Sequence, residues 1–402
     1  MMHSIRHIKH LNKLSEHLTK VHLSWISLSR SFFMKSDPPT TEKTGPTSTT
    51  TTSTSNKKVD VAKSQNLKER PPVPAVKENE HLVGRDFLSL KNFSADDIKQ
   101  FLWTAKDLKT RMKDNGEIFQ PLKGKTAALI FQKRSTRTRL STELGIAKLG
   151  GHACFLGPDD IHLGVNESVK DTSRVLAGMA DVILARVYDH ENILDMANEA
   201  NIPVINGLSD LLHPLQILAD FMTLQEYFNY VRGVKIAWIG DGNNILHSLM
   251  YGCAKLGIDL NIATPAGYEP NPEITTEAMN IAGKSGASFN IGHDPVKAAY
   301  RADAIITDTW VSMGQEEEKQ KRLKDFSGFQ INRKMLKEAG GSWVFLHCLP
   351  RKQEEVTDDI FYGEESLVWA EAENRMWTVM AVMLHQLMPY TPTIPMPKYV
   401  RG

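Results

Sequence analysis

Two hydrophobic patterns alternate along the chain from about residue 79 to its end. Short apolar runs such as Thr126–Phe131 and Ala304–Thr307 have the length and composition of buried strands. Between such runs, apolar residues recur at helical spacing, as in 98–112, which Ser94 and Asp97 precede in a pattern close to a capping box. Because strands alternate with helices, the sequence predicts an α/β protein of two domains, each a parallel β-sheet flanked by helices.

The same patterns give approximate bounds for the other elements. Further strands are predicted at Val182–Ala185, Ile202–Ile205, Gly233–Gly240, Leu260–Thr264, Ser288–Ile291 and Trp343–Leu346. Helices are predicted at Thr136–Leu149, Leu215–Phe228, Asn244–Leu256 and, at the end of the chain, Met376–Leu387. Since α/β sheets bind ligands beyond the carboxyl ends of their strands, polar residues that follow these strands are the candidates for function.

The amino-terminal region differs from the rest. Residues 1–36 contain Arg6, Lys9, Lys13, Lys20, Arg30 and Lys35 against a single acidic residue, Glu16. This composition predicts a mitochondrial transit peptide, although a basic tail without targeting function is the alternative. Residues 37–78 are rich in Ser, Thr and Pro, and they predict a disordered linker because they offer few apolar side chains to bury.

Bulk composition narrows the classes of function. The net charge of +1 gives no sign of a nucleic-acid or membrane-surface partner. No apolar run reaches the ~18 residues that a membrane span requires. The three cysteines, Cys154, Cys253 and Cys348, are widely spaced, which fits free thiols and neither a disulfide framework nor a zinc site.

The densest candidate site is the segment FQKRSTRTR, residues 131–139, between a predicted strand and a predicted helix. The start of a helix offers free N–H groups and the positive end of the helix dipole. Ser135, Thr136 and Thr138 add hydroxyl groups, and Arg137 can bind an oxyanion with two parallel hydrogen bonds. The segment therefore predicts a phosphate site without a Walker motif, with a solvated basic turn as the alternative.

Two further candidates follow predicted strands of the first half. Arg186 comes directly after a strand, where it could bind a ligand or form a structural salt bridge. His213 and Gln216 lie three residues apart at the start of a helix, so they share a face and could bind a carbonyl oxygen. Taken alone, His213 fits a cap or a packing residue better than a ligand.

The second half has three such points. In Gly240–Asn244 (GDGNN) two of the three glycines of a dinucleotide fingerprint are present, but Asn244 at a strand end also suits an amino-acid carboxylate. Asp308 precedes a segment that contains Ser312 and Met313, and its carboxylate could bind a substrate ammonium group. Cys348 could be a nucleophile, a base or a small buried residue, and no second cysteine or histidine cluster suggests a metal.

Four motifs in fixed order, FQKRSTRTR, HPLQ, DTWVSMG and HCLPR, resemble the ornithine carbamoyltransferase family, vertebrate mitochondrial type. The resemblance covers roughly residues 80–395. It implies a carbamoyl-phosphate domain formed by residues 79–213 and 375–402, and an ornithine domain formed by residues 214–374. It also implies transfer of a carbamoyl group to the δ-amine of ornithine, a step of arginine biosynthesis and the urea cycle.

The resemblance also implies roles for individual residues. Carbamoyl phosphate is expected to contact Ser135, Thr136, Arg137, Thr138, Arg186, His213, Gln216, Cys348, Leu349 and Arg375. Ornithine is expected to contact Asn244, Asp308, Ser312 and Met313. Among these residues, Cys348, Asp308, Arg137 and His213 are expected to act in catalysis. Arg375 is expected to precede the last helix, which would pack back on the first domain.

Further expectations concern assembly and the rivals of this interpretation. The family implies a homotrimer in the mitochondrial matrix, with His162 as the candidate residue that a neighbouring subunit contributes, and a reaction without metal or organic cofactor. Carbamoyltransferases that act on aspartate, putrescine or an acylated ornithine are the nearest alternatives. A nicotinamide dehydrogenase and a non-catalytic protein on the same scaffold are the alternatives from other classes.

Overall fold

The structure, a computed structural model, describes most of the chain from residue 79 onwards. The described residues are 79–161, 163, 167–312, 316–337 and 342–401, all within one compact unit. The predicted transit peptide (1–36) and linker (37–78) lie outside the described residues, as do His162 and Met313.

The first half of the described chain forms a four-stranded parallel sheet. Its strands are β1 (Thr126–Phe131), β2 (His152–Leu156), β3 (Val182–Arg186) and β4 (Val204–Leu208), in the order β2-β1-β3-β4. Its helices are α1 (Ala95–Lys109), α2 (Thr136–Lys148), α3 (Val169–Ala177) and α4 (His190–Glu199). On β1, the adjacent residues Leu129 and Ile130 are both fully buried, each in a different apolar cluster. Both faces of the sheet are therefore covered, as a parallel sheet requires.

The second half repeats this plan with five strands. They are β5 (Lys235–Ile239), β6 (Asp259–Ala263), β7 (Phe289–Gly292), β8 (Ala304–Thr307) and β9 (Val344–His347), parallel and in the order β7-β6-β5-β8-β9. The helices are α5 (Pro214–Phe228), α6 (Asn244–Leu256), α7 (Pro272–Ser285), α8 (Pro295–Ala299), α9 (Lys319–Asp325), α10 (Arg333–Leu336) and α11 (Asp358–Phe361). Leu129 of the first sheet and Trp238 of the second belong to the same apolar cluster, so the two sheets share a core.

Short turns complete the described structure. Single turns of 3-10 helix lie at Glu80–Leu82, Leu90–Asn92 and Glu316–Glu318, and a π-turn at Thr110–Asp114 extends α1. The expected capping box is confirmed: the Asp97 N–H donates to Ser94 Oγ at 3.0 Å, and the Ser94 N–H donates to Asp97 Oδ2 at 2.9 Å. Within the described ranges, the structure contains no helix that is both long and apolar enough to cross a bilayer.

Most predicted elements are confirmed, and the differences have local causes. The bounds of β8 and α6 agree with the prediction, whereas β4 begins two residues later than Ile202. Strand β2 was not predicted. It lies at the edge of its sheet, and none of its residues is fully buried, so its sequence lacks the continuous apolar run of the central strands.

The last helix, α12 (Val368–Leu387), corrects one prediction. Arg375 does not precede this helix but lies within it, because the helix begins eight residues earlier than Met376. The first turns contain Glu371, Glu373 and Asn374, which obscured the apolar pattern in the sequence. As predicted, the helix packs back on the first half of the chain, against α1 and α2, and it also packs against α5.

Packing of α12 against α1 buries a histidine. His385 Nε2 lies 2.7 Å from Thr104 Oγ1, and the imidazole makes an edge contact with the Phe101 ring at 5.7 Å between centroids. Burial lowers the pKa of His385 to about 4.

This depressed pKa predicts a pH-dependent stability. The unfolded histidine binds a proton below about pH 6.5, whereas the folded one does so only near pH 4, so the free energy of unfolding decreases as pH falls through this window. Between pH 7.5 and 5.0, His385 should account for a loss of about 2 kcal/mol. Urea unfolding of wild type and His385→Gln at both pH values measures this share, with the exposed His152→Gln as control. Equal pH dependence in wild type and His385→Gln would contradict it.

Candidate active site

The first wall of the site is the loop between β1 and α2. Ser135 caps α2, and its hydroxyl accepts a hydrogen bond from the Thr138 N–H at 3.2 Å. Helix α2 begins at Thr136, as the sequence predicted, and its first turn leaves backbone N–H groups without helical partners. These groups and the positive end of the helix dipole lie beyond the carboxyl end of β1, which makes the loop suitable for an anion.

Unpaired nitrogen atoms mark the floor of the site. Arg186 ends β3, His213 stands directly before α5, and Arg375 lies in α12; all three side chains are buried. Among the described residues, no hydrogen-bond partner reaches Arg186 Nε, His213 Nδ1 or the two Nη atoms of Arg375. A buried donor without an acceptor costs about 1–3 kcal/mol. These nitrogen atoms could therefore donate hydrogen bonds to an anion.

The charges in this region repel one another. Burial, followed by the charge of Arg137, lowers the pKa of Arg186 to about 10. Burial, followed by the charge of Arg186, lowers the pKa of Arg375 to about 9. Burial and the same three guanidinium groups hold the pKa of His213 well below its usual range, so His213 is a neutral imidazole at pH 7. A bound dianion would relieve this repulsion.

Arg137 joins the two halves of the site. Its Nη2 donates a hydrogen bond to the carbonyl oxygen of Leu349, which lies in the turn after β9. Leu349 has a φ of 61°, an unfavourable conformation for a residue with a side chain, and its N–H donates to His347 Nδ1 at 2.9 Å. The turn of the second sheet is thus held against the anion-binding loop of the first sheet.

The second wall centres on Asp308, which follows β8. Asn243 Nδ2 donates to Asp308 Oδ2 at 2.9 Å, and the Cys348 thiol donates to Asp308 Oδ1 at 2.8 Å. Burial and the charge of Asp308 raise the pKa of Cys348 well above its usual range. The thiol is therefore protonated at neutral pH, which argues against a thiolate nucleophile.

The turn after β5 is shaped by packing. A Cβ atom at Gly242 would lie 2.4 Å from the backbone carbon of Glu269, so no larger residue fits there. Asn243 caps α6 by accepting from the Ile245 N–H at 3.0 Å, and Asn244 Nδ2 donates to Ser209 O at 2.5 Å. The second glycine of this motif thus serves the close approach of two loops, and the turn does not require a dinucleotide to explain it.

Asp308, His347 and Cys348 form a cluster that the sequence spacing did not reveal. One potential metal-ligand atom of each residue lies within 4.8 Å of the others. However, His347 Nδ1 accepts from the Leu349 N–H, and its Nε2 donates to Glu355 Oε2 at 3.1 Å. Both ring nitrogens are thus committed to hydrogen bonds, and we assign the cluster to the hydrogen-bond network of the second wall.

The structure places most predicted site residues together. His213 lies within electrostatic reach of Arg137, Arg186 and Arg375, and Thr138 shares a helical turn with Arg137. Gln216 is joined through Glu371 to the end of β9. Cys348 contacts Asp308, Leu349 contacts Arg137, and Asn244 follows Asn243, which contacts Asp308. Thr136 is exposed, and Ser312 follows β8 as expected.

Sequence reasoning missed the residues behind this layer. Asp220 and Glu371 both accept from the amide of Gln216. Glu355 accepts from the Trp310 N–H at 3.3 Å and the Lys352 N–H at 2.7 Å. Asp220 could have been found, because it lies four residues after Gln216 on a predicted helix; nothing in the sequence marks Glu355.

Two family models match this chain. The carbamoyl-P binding domain of aspartate/ornithine carbamoyltransferase matches residues 85–226, and the Asp/Orn binding domain matches residues 232–386. The chain belongs to the aspartate/ornithine carbamoyltransferase family. The resemblance predicted from the four motifs is therefore confirmed.

Individual members of this family are similar over most of their length. The chain is 57% identical to the mitochondrial ornithine carbamoyltransferase of Aquarana catesbeiana over 318 residues, 79% of this chain and 91% of the relative. It is 55% identical to the mitochondrial ornithine transcarbamylase of Gallus gallus over 326 residues, 81% and 92% of the two chains. The solved ornithine carbamoyltransferase of Pyrococcus furiosus matches with a TM-score of 0.74 at 48% identity, and covers 76% of this chain and 98% of that one. The predicted fold class is confirmed.

Glu355 yields a prediction about stability. In Glu355→Gln, the single amide oxygen cannot replace both carboxylate oxygens, so the new NH₂ group faces the N–H of Trp310 or Lys352. We expect the free energy of unfolding to fall by about 1–3 kcal/mol, measured by urea unfolding at pH 7.5. The exposed Glu364→Gln is the matched control, and equal effects of the two substitutions would refute the role of Glu355.

Proposed function

We infer that this chain transfers the carbamoyl group of carbamoyl phosphate to the side-chain amine of L-ornithine, which gives L-citrulline and phosphate. The observation that carries this inference is the convergence of Arg137, Arg186 and Arg375, the last two with unpaired nitrogen atoms, in a site whose second wall presents Asp308. The guanidinium groups suit a doubly charged phosphate, and the carboxylate suits a cationic amino group. Membership in the family supplies the reaction that joins two such ligands.

The phosphate group is proposed to occupy the first wall. Ser135, Thr136, Arg137 and Thr138 and the first-turn N–H groups of α2 would surround its oxygens, with Arg375 from α12. When the amine attacks the carbonyl carbon, the bond from that carbon to the phosphate oxygen breaks, and negative charge grows on the phosphate. Guanidinium groups that are already in place stabilise this charge without reorganisation.

The carbamoyl group is proposed to lie on the floor. Arg186, His213 and Thr138 would donate to the carbonyl oxygen as it becomes an oxyanion, and Gln216 would contact the carbamoyl NH₂ group. His213 can donate while neutral, since its depressed pKa rules out an imidazolium at neutral pH. Cys348 and Leu349 would enclose the carbon from the side of the second sheet.

Ornithine is proposed to bind along the second wall, with its α-carboxylate and α-amino groups at Asn244, Asp308, Ser312 and Met313. Its δ-amine has a free pKa near ~10.4 and must lose a proton before it attacks. A closed site from which water is excluded favours the neutral amine, and the Asp308–Cys348 pair provides the neighbouring carboxylate for the proton.

Assembly, domains and location extend this proposal. We propose a carbamoyl-phosphate domain of residues 79–213 and 375–402, an ornithine domain of residues 214–374, and a homotrimer in which His162 of a neighbouring subunit completes each site. The two relatives named mitochondrial support a mitochondrial location, and we propose the matrix as the compartment.

The acceptor decides between this function and its rivals. The full chain should form citrulline from carbamoyl phosphate and ornithine, whereas aspartate, putrescine and N-acetylornithine should give no carbamoylated product above background. The assay is colorimetric detection of the ureido group with the four acceptors in parallel. A preference for another amine would overturn the assignment of the second wall and leave the first intact. A folded chain inactive with all four would favour a non-catalytic protein.

Arg137 tests the phosphate half. In Arg137→Ala, the site loses a charge that acts on both the phosphate and the Leu349 turn, so we expect kcat/KM to fall at least about 10²-fold. Calorimetric titration should show a matching loss of carbamoyl-phosphate affinity. The control is Arg139→Ala on the same helix, where Arg139 is exposed and bound to Glu143 at 3.1 Å. Wild-type affinity in Arg137→Ala would remove this residue from the site.

A further inference from the structure

Gln216 is held by two carboxyl groups from different helices. Its Nε2 atom donates to Asp220 Oδ1 at 2.9 Å, within α5, and to Glu371 Oε1 at 2.7 Å, in the first turn of α12. A primary amide has two N–H hydrogens, so these two bonds use both of them. Asp220 and Glu371 are 1% and 2% exposed, so water does not compete for their oxygens.

The second oxygen of Glu371 is also engaged. Glu371 Oε2 accepts from the backbone N–H of His347, at the end of β9, at 2.9 Å. The carboxylate therefore links the floor of the site to the strand that carries the second wall. Both oxygens of Glu371 thus accept hydrogen bonds. A protonated Glu371 that donated to Gln216 would have to give up one of these two bonds.

The two carboxyl groups fix which end of the amide faces the substrate. Burial is the largest cause of the raised pKa values of Asp220 and Glu371; the charge of Asp220 raises the pKa of Glu371 further, whereas hydrogen bonding to Gln216 lowers that of Asp220. A flipped Gln216 would turn its carbonyl oxygen towards two oxygens and lose both hydrogen bonds. Only the orientation with the NH₂ group towards the pair is favourable.

We propose that Asp220 and Glu371 are positioning residues that aim the carbonyl oxygen of Gln216 at the donor's NH₂ group, and so make the site select carbamoyl phosphate over other acyl phosphates. This inference rests on the proposed function. Among the described residues, none donates to Gln216 Oε1. An acceptor that cannot turn favours a ligand with an N–H group, whereas the arginines bind the phosphate of any acyl phosphate alike.

Acetyl phosphate is the probe, because it replaces the carbamoyl NH₂ group by a methyl group of similar size and keeps the phosphate. The experiment measures, by calorimetry on the full chain, the dissociation constant of acetyl phosphate divided by that of carbamoyl phosphate. Wild type should show a ratio of about tenfold or more, since a site that offers a buried acceptor discriminates against a ligand without a donor. A wild-type ratio near one would overturn the proposal without any variant.

The decisive variant is Glu371→Gln. Its amide has one oxygen for two donors, so either the His347 N–H or Gln216 loses its acceptor, and the amide of Gln216 is free to turn. The carbamoyl-phosphate dissociation constant should rise about tenfold, while that of acetyl phosphate should change less than about threefold, so that the ratio falls towards one. Glu373→Gln, two residues away on the same helix and paired with Lys113, should keep the wild-type ratio.

Other outcomes separate the possibilities. If Glu371→Gln raised the dissociation constants of both ligands by the same factor, Glu371 would have a merely structural role, and the proposal would be wrong. Asp220→Asn should lower the ratio in the same way, and it serves if Glu371→Gln does not fold. A wild-type chain that binds neither ligand would instead contradict the proposed function itself.

Discussion

The structure depends on holding three guanidinium groups so close together that they repel one another. Arg137, Arg186 and Arg375 come from the first turn of a helix, a strand end and another helix far apart in sequence, and each is within electrostatic reach of the others. Such a cluster opposes folding, because burial and mutual repulsion both disfavour charged groups. The shared apolar core of the two sheets must offset this opposition. A doubly charged ligand between these groups would relieve their repulsion.

A second layer of buried carboxyl groups orients the groups that face the cleft. Glu371 binds Gln216 on one side and the His347 N–H on the other, and Glu355 binds His347, Lys352 and Trp310. Each of these carboxyl groups accepts from more than one segment of backbone or side chain. A substitution of Glu371 therefore acts on the floor and on the second wall together, whereas one of Glu355 acts on the second wall alone.

The sequence predicts those parts of this arrangement that local pattern determines. β8 is an unbroken apolar run, and the apolar residues of α6 recur at helical spacing, so the sequence predicts the bounds of both elements. Arg186 and Asp308 were found because strand ends are where α/β sheets bind ligands. The place of Arg375 was missed because polar residues fill the first turns of its helix. The contact between Gln216 and Glu371 joins residues 155 positions apart, and no local pattern encodes such a contact.

The final helix imposes an order on the assembly of the molecule. Residues of α12 such as Met380 and Leu384 belong to the same core cluster as Leu129 of β1, and the same helix carries the buried Arg375. During synthesis the amino-terminal sheet leaves the ribosome long before these residues are made. Its core must therefore remain open until α12 has been translated, and until then the nascent chain lacks Arg375. Premature termination before α12 would remove the helix that packs against α1 and α2, and it would remove Arg375 with it.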